Sequence, residues 1–183
     1  TGRAQAVVLH TGVGLLQGAN GIHGAQMTET PMLILSGEAL TYGERASFDP
    51  GRQWYTTLSV VGGPQRFVEP LVKWASQAGS PETLYEQVMR AGELAQRLPR
   101  GPTYLNVPIE TMIAEWKPPA RLRKAPPAPK ARAVDSDIEK VAALLLASKN
   151  PMILAGALGR DQDGFAALVE LAETLAIPVV ENM

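Results

Sequence analysis

The sequence has no cysteine. That excludes a disulfide framework, a thiol nucleophile and a zinc–thiolate centre. An excess of one charge is also missing. Its 17 Lys and Arg against 18 Asp and Glu leave a net charge of −1, so bulk charge selects neither nucleic acid nor an anionic membrane as partner. Apolar runs are short: Ala142–Ala147 is among the longest, far below the roughly 20 residues of a membrane span. The start, Thr1-Gly2-Arg3-Ala4, lacks the charged and apolar regions of a secretory signal. It also lacks an initiator Met, and strand-like sequence follows at once. These absences lead us to expect a cytoplasmic chain that is a piece of a longer protein.

What is present is an ordinary globular composition, 45% hydrophobic and 19% charged over 183 residues, enough for one large domain or parts of two. Ala6–Leu9 is a short apolar run that reads as a strand buried on both faces. It breaks at Gly12-Val13-Gly14. From Leu15 to Met27 a helix is expected, with Leu16, Ala19, Ile22 and Gln26 along one face. Gly18, Gly21 and Gly24 each cost that helix about 1 kcal/mol relative to alanine, to be offset by close approach of a neighbouring element. Met32–Leu35 is a second buried strand, completing a parallel, right-handed βαβ unit.

Residues 38–63 read as a long loop with one helical turn around Trp54–Leu58, and Leu71–Trp74 as a strand. Ser80-Pro81-Glu82 starts a helix with a capping hydroxyl, a first-turn proline and an acid at the positive end. Leu84, Val88, Ala91, Ala95 and Leu98 line one face of it. Pro99 and Gly101 stop it, and Thr103–Val107 is the next strand. From Lys117 to Ala133, six Lys and Arg alternate with prolines and no acid intervenes, the composition of a semi-rigid extended connector. A nucleic-acid arm is the weaker reading, since no stacking aromatic accompanies the charges. Ser136-Asp137-Ile138-Glu139 reads as a capping box for a helix to about Lys149. Met152–Ala155, a helix marked by Phe165, Leu168, Leu171, Ala172 and Leu175, and Pro178–Val180 continue the alternation. The fold class is α/β: two partial doubly wound parallel-sheet domains over 1–116 and 135–183, joined by a Pro-rich basic linker over 117–134.

Three stretches carry a resemblance. Val7–Glu38, VVLHTGVGLLQGANGIHGAQMTETPMLILSGE, resembles the second half of the pyrimidine-binding domain of thiamine-diphosphate-dependent enzymes of the acetolactate synthase and benzoylformate decarboxylase type. Arg100–Pro108 is similar to the strand that closes that domain. Ala142–Val180, with NPMILAGALG and LAIPVVEN in it or overlapping its ends, is similar to the first half of the central domain. The resemblance implies thiamine diphosphate and Mg2+ as cofactors, with FAD as a further one in some relatives. It implies a 2-keto acid substrate and a homodimer or homotetramer with active sites between subunits.

Carried over residue by residue, it places Gly12, Val13 and Gly14 against the aminopyrimidine, where glycine leaves backbone clearance at the carboxyl end of a strand. A tight βα turn needing glycine for its own geometry is the alternative. Gln17 stands where many members have Asn, and Gln53 lies in the loop where members place substrate-facing residues. His10 occupies the position of a histidine that moves protons in benzoylformate decarboxylase, where acetolactate synthases usually have Thr. A histidine merely hydrogen-bonded at the edge of the core is the other reading. His23 is expected at an interface. Gly156-x-x-Gly159 lacks the full dinucleotide fingerprint, and Asp161-Gln162-Asp163-Gly164 reads as a helix start rather than a calcium loop.

Two parts of the family's machinery are not in these residues. No acid precedes Glu29, so the glutamate that pairs with the aminopyrimidine is absent, and no Gly-Asp-Gly occurs for the Mg2+–diphosphate. This stretch alone is therefore expected to be inactive, with no metal ligands of its own. A nucleotide-binding or assembly module that kept the fold without catalysis is the alternative.

Overall fold

The structure, a computed structural model, describes residues 3–41, 49, 51–52, 62–124 and 126–181. It falls into two compact units, Arg3–Pro129 and Lys130–Met183.

The first unit is built on a four-stranded sheet of β1 (Gln5–Leu9), β2 (Met32–Glu38), β3 (Trp74–Gln77) and β4 (Pro102–Pro108). The order is β1-β2-β4-β3 and every pairing is parallel. Helix α1 (Val13–Met27) connects β1 to β2. Helix α2 (Pro64–Val68), with the 3₁₀ turn Glu69–Leu71 after it, leads into β3. Helix α3 (Pro81–Gln96) connects β3 to β4, and α4 (Ile109–Ile113) follows β4.

All seven residues of β4 are buried, as a parallel strand covered on both faces requires. Its alternation divides the core. Tyr104 packs with Leu15 and Ile22 of α1, Ile34 of β2, Val68 of α2 and Val72. Leu105 and Val107 pack on the other face with Ala78 and with Leu84 and Val88 of α3.

Several local expectations are corrected. Among the described residues β1 is a sheet edge, not a strand buried on both faces, and Val8 is 76% exposed. An apolar run specifies a strand but not its place in the sheet. Helix α1 begins at Val13 rather than Leu15, and its buried stripe is Leu15, Ile22 and Ala25, leaving Leu16 48% exposed. Of Gly18, Gly21 and Gly24 only Gly18 is closely approached: a methyl there would lie 2.6 Å from Leu9 Cδ1, whereas Gly21 and Gly24 face open space. β3 starts at Trp74, where a strand was expected to end. Leu71 belongs to the 3₁₀ turn, and Lys73 is drawn aside to the end of α3. There its Nζ donates to the Leu94 and Arg97 carbonyls at 2.8 and 2.7 Å, satisfying acceptors that the helix leaves open. Partial burial, with the nearby Arg97 charge, lowers the Lys73 pKa. The short α2, begun by Pro64 after Gly63, and α4 were not anticipated. The helical turn expected at Trp54–Leu58 lies outside the described residues.

Helix α3 starts as its sequence specifies. Ser80 Oγ accepts from Thr83 N–H at 3.3 Å, Pro81 opens the helix, and Glu82 sits in the first turn. The Glu82 carboxyl is held below its usual pKa by hydrogen bonds from its own backbone and from Ser80. Ser80→Ala is expected to destabilise the protein by about 1 kcal/mol, read as a lower denaturation midpoint with an unchanged slope.

The second unit comprises α5 (Asp135–Ala147), β5 (Ile153–Ala155), the 3₁₀ turn Ala157–Arg160, α6 (Gln162–Leu175) and β6 (Val179–Glu181). β5 and β6 pair in parallel. The expected capping box does not form. The helix starts at Asp135, one residue before Ser136, and no side chain caps it. Asp135 and Asp137 instead place negative charge in the first turn. Asp161 does cap α6: its Oδ1 accepts from the Asp163 and Gly164 N–H groups at 3.2 and 3.5 Å. That accounts for the acidic run as a helix start. Among the described residues no helix is long and apolar enough to cross a membrane.

Candidate functional site

Because the four strands are parallel, their carboxyl ends share one edge, where open α/β sheets present ligand sites. The β1–α1 turn lies on that edge. Gly12 is the N-cap of α1 with φ of +59°, a conformation glycine adopts without penalty. Its carbonyl accepts from Leu16 N–H at 2.9 Å, closing the first helical turn. A methyl on Gly14 would lie 2.8 Å from His10 Cβ. Turn geometry alone therefore accounts for both glycines, and the same geometry leaves the turn without side chains at either position.

His10 is exposed just beyond β1, with Nδ1 3.0 Å from the Thr11 carbonyl oxygen. A carbonyl can only accept, so Nδ1 carries the proton in this contact. The neutral ring then has its lone pair on Nε2. Val13, 62% exposed, opens α1, and Gln17 is exposed one turn further on. No side chain caps α1 and its first turn holds no acid. Its leading N–H groups are left to solvent or to a ligand acceptor. The fold thus brings His10, Gly12, Val13 and Gly14 together, with Gln17 behind them. His23 is exposed on α1, roughly 13 Å along the axis from Gly14 at 1.5 Å per residue. Gln53 lies outside the described residues.

Sequence reasoning overlooked the buried polar groups behind this edge. Ser36 Oγ and Tyr104 Oη are 2.6 Å apart and fully enclosed. Burial pushes the Tyr104 phenol up to about 12; the Ser36 hydrogen bond opposes this, and the Glu38 charge adds to it. Glu38 is itself buried, with Oε1 accepting from Ala39 N–H at 2.7 Å. Asn106 Nδ2 donates to Gln77 Oε1 at 3.1 Å. Thr11 Oγ1 and Asn106 Oδ1 are buried with no hydrogen-bond partner among the described residues. The available signal was a polar residue inside an apolar strand, Ser36 in β2 and Asn106 in β4. No group of three or more His, Asp or Glu suited to a metal ion occurs among the described residues.

Residues 1–59 match the thiamine pyrophosphate enzyme N-terminal TPP binding domain, and residues 138–183 match the thiamine pyrophosphate enzyme central domain. The chain belongs to the thiamine pyrophosphate enzymes. It is 27% identical to the acetolactate synthase large subunit of Mycobacterium tuberculosis, over 95% of this chain and 30% of that protein. It is also 27% identical to the benzoylformate decarboxylase of Pseudomonas aeruginosa, over 97% of this chain and 32% of that protein. An X-ray structure from Mycobacterium smegmatis, described as a thiamin diphosphate-dependent enzyme, superposes with a TM-score of 0.74 at 27% identity. It covers all of this chain and 33% of its own. The chain therefore spans about a third of the thiamine pyrophosphate enzymes it resembles, and the parallel α/β architecture is theirs.

Within such an enzyme the β1–α1 turn has little tolerance for added volume. Gly14→Ala is expected to cost about 1–3 kcal/mol through overpacking against His10, visible as a lower melting temperature.

Proposed function

We propose that the whole protein is a thiamine-diphosphate- and Mg2+-dependent carboligase or decarboxylase acting on 2-keto acids, and that residues 1–183 supply part of its pyrimidine site. The observation that carries this reading is the turn Gly12-Val13-Gly14, which has no side chain at Gly12 and Gly14, set beside His10 at the carboxyl edge of a parallel sheet. The fit to the cofactor rests on that clearance and on the uncapped start of α1. When bound, thiamine diphosphate supplies a carbon nucleophile and an electron sink for bond cleavage next to the keto carbonyl. Gly12, Val13 and Gly14 would hold the aminopyrimidine by backbone contact, and Gln17 would offer an amide to the same space. His10 would hold or release a proton at Nε2, its Nδ1 being engaged by Thr11. Gln53 would face the substrate. A homodimer or homotetramer with sites between subunits belongs to the same reading.

The segment by itself is proposed to be inactive, since no acid precedes Glu29 and no Gly-Asp-Gly is present in it. The test compares the full-length protein with residues 1–183. CO2 release from a 2-keto acid that requires both Mg2+ and thiamine diphosphate is expected for the former only. Activity in the short chain would overturn the assignment of missing parts. Nucleotide binding without any turnover in the full-length protein would favour a non-catalytic module.

A further inference from the structure

The connector does not leave the first unit where its composition changes. Trp116 lies against Tyr85 of α3, with ring centroids 6.2 Å apart and planes tilted by 30°. Seven residues on, the Arg123 backbone N–H donates to Tyr85 Oη at 2.6 Å, and that hydroxyl faces the Arg123 carbonyl at 3.4 Å. The Arg123 guanidinium pairs with Glu86 and stands 5.8 Å from the Tyr85 ring centroid. One tyrosine thus engages both ends of Trp116–Arg123, by its ring at one and its hydroxyl at the other. Beneath the segment a groove of about 480 Å³ remains, bordered by Pro81, Tyr85, Trp116 and Pro119. The segment is therefore held at a few points rather than packed along its length.

We propose that residues 116–123 form a strap latched to α3 by Tyr85 and Glu86, and that the freely extended part of the connector starts only past the end of the first unit at Pro129. The extended stretch is then cut to Lys130–Val134, a reach of roughly 16 Å at about 3.1 Å per residue for extended chain. The strap sets where that reach begins. An exposed ion pair alone would hold a strap weakly; the backbone hydrogen bond to Tyr85 Oη makes the latch specific to one position of the chain.

Limited trypsin digestion of the full-length protein tests this, because Arg121 and Arg123 lie in the strap whereas Lys130 and Arg132 lie beyond it. In the double variant Tyr85→Phe, Glu86→Gln, cutting after Arg121 and Arg123 should accelerate roughly tenfold, the effect of losing about one hydrogen bond and an exposed pair. Cutting after Lys130 and Arg132 should keep its wild-type rate. Glu86→Gln alone changes an exposed side chain and should give a smaller increase at the same two sites. Unchanged rates at Arg121 and Arg123 in a double variant that melts like the wild type would overturn the latch. Equal acceleration at all four sites would also overturn it, since that reports general loosening.

Discussion

His10→Ala in the full-length, cofactor-loaded protein is expected to lower turnover by about 10²–10⁴-fold, the span of a positioned proton donor or acceptor. The position of the ring makes the prediction specific. His10 is exposed, and the proton of its Nδ1 is committed to the Thr11 carbonyl at 3.0 Å, so the nitrogen available for exchange is Nε2. Surface substitutions away from special features usually alter stability by no more than about 0.5 kcal/mol. Turnover should therefore fall without a matching fall in melting temperature. His10→Gln, which sets an amide near the Nε2 position but cannot exchange a proton there, should keep substrate affinity and still lose the rate. Steady-state kinetics on the two variants checks this. A loss below about threefold in kcat would remove His10 from proton transfer, leaving the glycine turn as the contribution of this edge.

The second large effect is on stability at alkaline pH. The Tyr104 phenol is fully buried, and its pKa is raised to about 12 in the fold, against about 10 for an unperturbed tyrosine. Its contribution is complete below pH 10. Between there and about 12 the unfolded chain releases the proton and the folded chain retains it, so stability falls as pH rises. The slope is about 1.4 kcal/mol per pH unit, or roughly 3 kcal/mol across the window. Tyr104→Phe removes the titrating group. At pH 8 it should cost about 1 kcal/mol for the lost hydrogen bond, because Ser36 Oγ still faces the Gly37 carbonyl at 3.4 Å. Urea titrations of both proteins at pH 8, 10 and 11 should therefore converge with rising pH. Parallel curves would show that Tyr104 ionises in the fold as it does in the unfolded chain.

These two residues differ in how far the sequence disclosed them. His10 stands at the end of an apolar run and before Gly12-Val13-Gly14, a pattern legible within five residues, and the structure brings those residues together. Tyr104 read as one member of a strand. Its partner Ser36 lies 68 residues away, and no local periodicity reports such a pairing. Leu15 and Leu16 show the same limit within one turn of helix. Both are apolar, and only the packing of α1 on the sheet decides which of them is buried.

By itself, the sequence determined the alternation of strands and helices, the Ser80 start of α3, the glycines of the β1–α1 turn and the kinship with thiamine pyrophosphate enzymes. Each rests on residues close together in the chain or on motifs kept in order. The tertiary structure alone decided that, among the described residues, β1 is an edge and β4 is buried throughout, and that Ser136 is not a cap. It also decided that Ser36, Glu38 and Tyr104 share one interior, and that Tyr85 meets Trp116 and Arg123. The reason is physical. Local patterns record the period of a helix or strand, whereas sheet order, burial and the partner of a polar group are set by which distant segments pack together.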